Sequence, residues 1–373
     1  MKYPALLSFE EILPQLDAFD AIIDVRSPGE FALDHMPGAI NCPVLTDQQR
    51  IEVGTMYKQV NAFEAKKVGA VMVANNISHH IETLWMDKPR GWKPLIYCWR
   101  GGNRSGAMAH ILAKIGWPAV QLDGGYKAYR NHVNAALALA PAVSFTVICG
   151  PTGSGKTRLL EILHSIGAQV LDLEQLAAHR GSVLGNLPSQ PQPAQKAFES
   201  AIWQQLRHFD TGRTVFVESE SKKVGNLRVP DAVMTTMRAA PCISLDLSRP
   251  DRVRLLMEDY AHFTIDAGHL NTQLDCLTSL HGGEKIQRWH GLANAGQMPA
   301  LVDELLLDHY DPAYLRSIER NFTQFLQAEV VSLPDISKNA FEAAARYLQG
   351  EYDALPCTTD NAADALETAA EAD

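Results

Sequence analysis

A glycine-rich loop between an apolar segment and an amphipathic helix constrains the fold of this chain more than any other feature. The apolar segment is Phe145–Cys149, and the loop that follows reads Gly-Pro-Thr-Gly-Ser-Gly-Lys-Thr at residues 150–157. Glycines let successive backbone N–H groups wrap a phosphate, the lysine adds a positive charge, and the threonine can bind Mg²⁺. We call residues 150–157 the phosphate loop; its candidate phosphate-binding residues are Gly150, Gly153, Gly155, Lys156 and Thr157.

Strands and helices alternate along the 373 residues, which predicts two parallel α/β domains in succession. The predicted strands are 21–25, 94–97, 119–122, 145–149, 169–171, 214–217, 242–247 and 329–332. The predicted helices of the second half are 156–166, 194–209, 250–262, 300–309, 312–327 and 338–350. An alanine-rich break at 135–143 predicts the linker. The expected domains are therefore 1–137 and 143–350, followed by an acidic tail, 351–373, that we expect to be disordered.

A second candidate site is the thiol loop, residues 98–105, which reads Cys-Trp-Arg-Gly-Gly-Asn-Arg-Ser between a predicted strand and a predicted helix. Loop N–H groups and a helix N-terminus stabilise a thiolate in such a position, and arginines add positive charge. The alternative is a buried structural cysteine, which the neighbouring arginines disfavour. The candidate catalytic residue is Cys98, and the supporting loop residues are Arg100, Gly101, Gly102 and Arg104.

Charged residues of the second half are candidates for chemistry around the phosphate loop. Glu218 and Glu220 follow the apolar strand 214–217, where a metal-orienting or acid/base carboxylate is expected, although the usual residue there is aspartate. A solvated face or a lid is the alternative reading of the basic residues nearby. The candidate RNA or phosphate contacts are Arg180, Lys222, Lys223 and Arg249.

Composition and charge narrow the class of protein. The net charge is −10, but seven acidic residues and no basic one lie from Glu351 onward. The rest of the chain therefore has a net charge near −3, which does not exclude binding of RNA. The six cysteines have no CxxC spacing, which favours free thiols in a reducing compartment. The sequence shows no signal peptide and no long apolar run. We therefore expect a cytoplasmic enzyme that does not enter the membrane.

The first half resembles a rhodanese domain, a fold that carries sulfur as a persulfide on its loop cysteine. The resemblance rests on the segments Asp24–Phe31, His35–Asn41, Cys98–Ser105 and Gly124–Tyr126. Five residues separate Cys98 from Arg104, the arginine at the end of the loop, whereas most single-domain rhodaneses have four residues between the corresponding positions. The longer loop resembles that of rhodanese-related phosphatases, although those enzymes usually have a histidine where this chain has Tyr97. A cysteine-dependent phosphatase therefore stays an alternative.

A rhodanese domain followed by a phosphate-loop domain resembles the tRNA 2-selenouridine synthase family. Further segments match that family's pattern over about residues 5–350. They are Tyr57–Val60, Phe63–Lys67 with Gly69, His179–Ser182, and Glu218–Ser221 with Gly225.

The resemblance implies a two-step modification of tRNA. The C2 sulfur of 2-thiouridine at the wobble position is geranylated by geranyl diphosphate, and selenium from selenophosphate then displaces the S-geranyl group. Cys98 is implied as the selenium-carrying thiol, and the phosphate loop as the diphosphate site. The implied partners are the anticodon arm of tRNA, whose loop bases are accessible, and a selenophosphate-producing enzyme. We expect no tightly bound cofactor, with Mg²⁺ as a candidate ion.

Two other classes of function fit the same motifs. A rhodanese-type sulfurtransferase coupled to ATP would use both loops, and ATP hydrolysis with a sulfur donor would identify it. A phosphatase would turn over a phosphate ester without tRNA. A purely binding role is the weakest reading, because it leaves Cys98 and its arginines without a task.

Overall fold

The computed structural model of the chain describes residues 3–181, 190–259 and 267–352. These residues form two compact units. The first contains the described residues up to Ala138 together with Pro193–Gln204, and the second contains the other described residues from Leu139 onward. The predicted acidic tail lies outside the described residues from position 353 onward.

The first unit is built on a five-stranded parallel sheet in the order β1-β5-β4-β2-β3. Its strands are β1 Ala5–Leu7, β2 Ala21–Asp24, β3 Ala39–Asn41, β4 Pro94–Tyr97 and β5 Val120–Leu122. The helices up to residue 138 are α1 Phe9–Ile12, α2 Pro28–Leu33, α3 Asp47–Gln59, α4 Ala62–His80, α5 Asn103–Ile115 and α6 Gly125–Leu137. Helix α6 continues to Leu137, inside the predicted linker, and β6 begins at Ser144. The segment between these two elements is therefore shorter than the predicted linker.

Local sequence signals set where helices of the first unit begin. The Ser8 hydroxyl accepts a hydrogen bond from the Glu11 N–H, and the Glu11 carboxylate accepts one from the Ser8 N–H. Thr46 and Gln49 make the same reciprocal pair before α3. Asn61 caps α4 through its side-chain oxygen. These interactions satisfy N–H groups that have no partner within the helix.

The core of the first unit lies between its central strands and α5. Ile23 on β2, Ile96 on β4, and Met108 and Leu112 on α5 are fully buried in one apolar cluster. Strand β4 pairs with β2 on one side and with β5 on the other. Since all strands are parallel, their carboxyl ends share one edge of the sheet, the edge at which open α/β sheets bind ligands.

The second unit contains a five-stranded parallel sheet in the order β12-β11-β6-β8-β7, and a separate antiparallel pair, β9 and β10. Its strands are β6 Ser144–Cys149, β7 Gln169–Leu171, β8 Thr214–Glu218, β9 Lys223–Val224, β10 Leu227–Arg228, β11 Cys242–Asp246 and β12 Glu329–Ser332. The helices after residue 139 are α7 Lys156–Ser165, α8 Leu173–Ala177, α9 Gln195–Leu206, α10 Asp231–Ala239, α11 Arg249–Asp259, α12 Ala267–Asp275, α13 Thr278–His281, α14 Gly283–Asn294, α15 Met298–Leu305, α16 Asp311–Asn321 and α17 Lys338–Tyr352. The predicted fold class, one parallel α/β unit after another, is confirmed.

Helix α9 packs on the first unit although it follows the phosphate loop in the chain. The Trp203 and Tyr129 rings meet edge-on with centroids 5.6 Å apart, and Arg130 forms an ion pair with Glu199. The predicted second domain, 143–350, contains this helix. The alternation of strands and helices along a chain does not say against which sheet a given helix packs.

Helices α12–α15 surround a small core of their own in the second unit. Leu274, Trp289 and Leu301 are fully buried in this cluster. The sequence pattern predicted no element between 262 and 300, because glycines interrupt the apolar pattern of these short helices. Within the part of the chain that the structure describes, no helix is both long and apolar enough to cross a membrane.

Candidate functional site

The thiol loop leaves the carboxyl end of β4 and enters α5, as its sequence predicts. The Tyr126 N–H donates a hydrogen bond of 2.8 Å to the Cys98 carbonyl oxygen, which ties the loop to α6. Gly125 has φ +57°, and a Cβ there would collide with that carbonyl oxygen. Gly101 has φ +66°, and its Cβ would lie 2.5 Å from the last carbonyl oxygen of β5. Both positions therefore require glycine.

The environment of the Cys98 sulfur favours the thiolate. Burial by itself raises the pKa of Cys98, but hydrogen bonds to the sulfur lower it more. The Ser105 hydroxyl donates one of 3.2 Å, and the backbone N–H groups of Ser105 and Arg100 add to it. With the charge of Arg104, they bring the pKa below the usual value for a thiol. The surroundings of Cys98 therefore favour its ionised form more than those of an ordinary thiol in water do.

The two arginines of the thiol loop play different parts. Arg104 donates a hydrogen bond of 2.9 Å to the Glu30 carboxylate, so its charge is partly neutralised by α2. Arg100 is exposed, and it supports Cys98 through its backbone N–H. Of the two arginines expected to add positive charge, Arg104 therefore does so while paired with Glu30, and Arg100 contributes its backbone N–H.

Gln121 supports the thiol loop and was missed by sequence reasoning. Its side-chain amide donates hydrogen bonds to the Gly101 carbonyl oxygen at 2.5 Å and to the Ser105 hydroxyl at 3.2 Å. Trp99, beside the cysteine, stacks on the Tyr126 ring with centroids 5.3 Å apart. Gln121 gave no signal in the sequence, because only the pairing of β4 with β5 brings it to the loop.

The phosphate loop joins β6, the middle strand of the second sheet, to α7. The Lys156 ammonium group donates a hydrogen bond of 2.9 Å to the Gly150 carbonyl oxygen. The Gly150 N–H donates one of 2.6 Å to the Tyr314 hydroxyl, from α16. Gly155 has φ +85°, and a Cβ there would collide with the Phe341 ring. The loop thus has the turn and the lysine that a phosphate cradle needs.

A cluster of three carboxylates lies beside the phosphate loop. Oxygen atoms of Glu174, Glu218 and Glu220 all lie within 4.8 Å of one another. The Thr157 hydroxyl donates a hydrogen bond of 3.2 Å to Glu174. One oxygen of Glu218, Oε1, is buried without a hydrogen-bond partner in the structure. Carboxylate and hydroxyl oxygens are the ligands that Mg²⁺ prefers, and an unpartnered buried carboxylate oxygen fits such an ion. We call these three residues the carboxylate cluster.

The carboxylate cluster holds its protons more tightly than ordinary glutamates. Burial, and then repulsion from neighbouring carboxylates, raise the pKa of Glu174 to about 8 and that of Glu220 to about 7, against the opposing charge of Lys156. The same causes raise the pKa of Glu218 well above its usual value. Three carboxyl groups at this spacing do not ionise independently, so their titrations belong to the cluster as a whole.

A cavity of 660 Å³ opens beside the phosphate loop and the carboxylate cluster. Its wall includes His179, Arg180 and Gly181. His179 is buried, its Nδ1 has no hydrogen-bond partner in the structure, and burial lowers its pKa. Gly181 has φ +61°, and a Cβ there would lie 2.5 Å from Glu174 and 2.7 Å from Glu220. This loop therefore closes on the carboxylates; the next residue of the predicted motif, Ser182, lies outside the described residues.

The predicted basic contacts separate into two groups. Arg180 lines the cavity, whereas the residues that line it do not include Lys222, Lys223 or Arg249. Lys222 pairs with Asp231 at 2.8 Å, and Arg249 pairs with Asp303 at 2.9 Å. Lys223 is exposed on β9.

Two cavity residues were missed by sequence reasoning. Glu174 lies in the first turn of α8, directly after β7, so its place at a strand end was a usable signal. Tyr314 had no such signal, because it is distant from Gly150 in sequence and reaches the loop only through the packing of α16.

Comparisons with known proteins agree with the two-unit architecture. A family model described as Rhodanese-like domain matches residues 8–132, and one described as tRNA 2-selenouridine synthase AAA domain matches residues 143–277. The chain is 33% identical to a tRNA 2-selenouridine synthase of Sulfurovum sp. over 85% of this chain and 95% of that protein. It is 30% identical to one of Chromohalobacter salexigens over 84% of this chain and 93% of that protein.

A tRNA 2-selenouridine synthase of Nitrosomonas europaea is 37% identical over 64% of this chain and 63% of its own length. The two longer matches span nearly the full length of their relatives and include both units. The chain therefore belongs to the tRNA 2-selenouridine synthase family.

Proposed function

We propose that this protein forms 2-selenouridine in tRNA by two successive reactions at the wobble 2-thiouridine. In the first, the C2 sulfur attacks C1 of geranyl diphosphate; a C–S bond forms, the C1–O bond breaks, and diphosphate leaves with the electron pair. In the second, the P–Se bond of selenophosphate breaks and its phosphoryl group passes finally to water; the released selenide forms a bond to C2, and the geranyl thiolate leaves. Alkylation makes the sulfur a better leaving group, which is the chemical reason for the order.

The pairing of two loops in one member of this family carries the proposal. One loop holds a cysteine whose pKa is lowered, and the other opens into a cavity of 660 Å³. That volume lies within the range of about 300–1,000 Å³ typical of small-molecule sites. Few reactions need both a thiolate and a phosphate pocket, and both co-substrates of the proposed route carry phosphate.

The phosphate loop is assigned to the diphosphate of the geranyl donor. Lys156 would exchange its hydrogen bond with Gly150 for the phosphate oxygens. The carboxylate cluster and Thr157 would hold Mg²⁺, which offsets the charge of a diphosphate. Arg180, on the cavity wall, is assigned to the leaving group.

The thiol loop is assigned to the selenium step. Cys98 is proposed as the thiolate of this step, because its hydrogen bonds favour the ionised sulfur needed for group transfer. The thiolate takes the phosphoryl group of selenophosphate as the P–Se bond breaks, selenide leaves for C2, and water then releases phosphate and restores the thiol. The anticodon arm is the proposed RNA partner. The exposed Lys223 and the partly exposed Lys222 and Arg249 are candidate contacts to its phosphates.

The test uses the full chain with 2-thiouridine tRNA, given geranyl diphosphate and then selenophosphate. Nucleosides are read by mass spectrometry after each stage. The expected result is S-geranyl-2-thiouridine after the first stage and 2-selenouridine after the second. An unchanged tRNA with folded protein contradicts the proposal. ATP hydrolysis with a sulfur donor, or turnover of a phosphate ester without tRNA, would then identify the sulfurtransferase or the phosphatase.

A further inference from the structure

Tyr310 and the first turns of α16 form a wall of the cavity beside the phosphate loop. Tyr310, which directly precedes α16, and Ala313, Tyr314 and Ser317 of α16 all line the cavity, and their spacing is that of residues on one side of a helix. Leu256 of α11 extends this wall. We call Leu256, Tyr310, Ala313 and Tyr314 the apolar wall. Most of the remaining lining residues are charged, polar or glycine, so the cavity has one polar end and one side of carbon surface.

The apolar wall begins directly beside the phosphate loop. The Tyr314 hydroxyl accepts the Gly150 N–H, and the Lys156 ammonium group lies 6.0 Å from the Tyr314 ring centroid. A Cβ on Gly153 would lie 2.9 Å from Leu256, which shows how closely that side chain approaches the loop. A ligand whose phosphates occupy the loop can therefore place its next atoms against carbon surface.

Resting on the proposed function, we propose that the apolar wall binds the hydrocarbon chain of a prenyl diphosphate, and that Ala313 determines the chain length accepted. Ala313 lies between the two tyrosines in sequence and lines the cavity with an exposed methyl group. A larger side chain there would take up cavity space beside the tyrosines. A hydrocarbon needs no hydrogen-bond partners on this wall, whereas a nucleoside would need several.

The position of the wall suits the alkylation chemistry. The bond that breaks joins C1 of the chain to the diphosphate, and the bond that forms joins C1 to the sulfur at C2 of the base. C1 must therefore lie at the boundary between phosphate site and hydrocarbon site, and Tyr314 lies at that boundary. Loss of wall contacts should change the discrimination between chains more than it changes binding of the phosphate groups.

The test compares Ala313→Leu and Ala313→Phe with the unmodified full chain. The donors are dimethylallyl, geranyl and farnesyl diphosphate, and kcat/KM for S-prenylation of 2-thiouridine tRNA is measured by mass spectrometry. The matched control is Leu315→Phe, which adds bulk to the same helix at an exposed position outside the cavity lining. Calorimetry measures binding of inorganic pyrophosphate, geranyl diphosphate and ATP to each protein.

The expected result is that Ala313→Leu lowers kcat/KM for geranyl relative to dimethylallyl diphosphate by about tenfold or more. The affinity for pyrophosphate should stay unchanged in the Ala313 variants, and the ratio of kcat/KM between donors should stay unchanged in the Leu315→Phe protein. An unaltered donor ratio in a folded Ala313→Phe protein overturns the inference. The inference is also overturned if the unmodified protein binds geranyl diphosphate no more tightly than it binds pyrophosphate. It is overturned as well if geranyl diphosphate binds more weakly than ATP. If geranyl diphosphate binds tightly through the wall but tRNA is not modified, the inference holds and the proposed function fails.

Discussion

The Ser105 hydroxyl donates a hydrogen bond to the Cys98 sulfur across 3.2 Å, from the first turn of the helix that the thiol loop enters. The same hydroxyl accepts a hydrogen bond from Gln121, which helps to hold it beside the sulfur, and the Gly102 carbonyl oxygen is a second acceptor 3.3 Å away. The charge state of Cys98 therefore depends on a serine and a glutamine as well as on the arginines that the sequence makes conspicuous.

Replacing Ser105 by alanine should shift the alkylation of Cys98 to higher pH. The hydrogen bond from Ser105 favours the thiolate, so its loss raises the pKa of Cys98, and less thiolate is present at a given pH. Peptide-resolved mass spectrometry of iodoacetamide labelling against pH measures this and separates Cys98 from the exposed Cys276. Ser105→Thr keeps the hydroxyl and is the control. A profile for Ser105→Ala that coincides with that of the unmodified protein would contradict the assignment.

Cys98→Ser should abolish selenium incorporation and leave geranylation intact. The substitution removes the thiol but keeps a small hydroxyl at a buried position, so the fold should persist. Nucleoside mass spectrometry after each stage measures both steps. Cys42→Ser, at another buried cysteine of the same unit, is the control for effects on stability alone. Equal loss of both steps in a folded Cys98→Ser protein would argue against this division of labour.

Lys156→Ala should slow geranylation by about a hundredfold, because the phosphate loop loses its positive charge at the developing diphosphate. Selenation of tRNA that has been geranylated beforehand should be affected much less. The measurement is kcat/KM with geranyl diphosphate. Lys338→Ala removes an exposed lysine from α17 and is the control. If kcat/KM of the Lys156→Ala protein with geranyl diphosphate is unchanged, the diphosphate does not bind at the phosphate loop.

Magnesium should stabilise the unmodified protein against heat, and Glu218→Gln should remove most of that effect. An ion that binds only the folded state raises the free energy of unfolding by RT ln(1 + c/Kd), where c is the concentration of free Mg²⁺. Glutamine keeps the size of the side chain but cannot release a proton when the ion binds, so it lowers the affinity for the ion. Differential scanning fluorimetry against Mg²⁺ concentration measures the effect. Glu161→Gln, on the cavity wall but outside the carboxylate cluster, is the control. A shift in Glu218→Gln as large as in the unmodified protein would place the ion elsewhere.

Lys223→Ala should weaken tRNA binding and reduce its dependence on salt. If Lys223 contacts a phosphate, its removal lowers the slope of log K against log salt by about one. Fluorescence anisotropy with labelled tRNA at several salt concentrations gives that slope. Lys114→Ala, on α5 of the first unit and never a candidate RNA contact, is the control. An unchanged slope would show that Lys223 is a solvated surface residue that does not contact a tRNA phosphate.

Much of the local structure could be read from the sequence. The strands around Ile23, Ile96 and Ile148 are runs of buried apolar residues, and such runs are typical of parallel sheets. The spacing of the phosphate loop predicted its place between β6 and α7. The membership of α9 in the first unit could not be read in this way, because helical periodicity identifies an apolar face but not its partner.

The sequence by itself determined the two loops, the strand before each loop and the helix after it. Glycine can adopt the positive φ angles of these loops, lysine carries a charge and cysteine carries a thiol, whatever the rest of the fold is. Only the tertiary structure decided which distant side chains complete each site. Gln121 reaches the thiol loop through the pairing of β4 with β5, and Tyr314 reaches the phosphate loop through the packing of α16. The raised pKa values of the carboxylate cluster are likewise tertiary, since they arise when burial and mutual repulsion act on glutamates from separate segments. Contacts of that kind are fixed by how the whole core packs, and no short stretch of sequence contains that information.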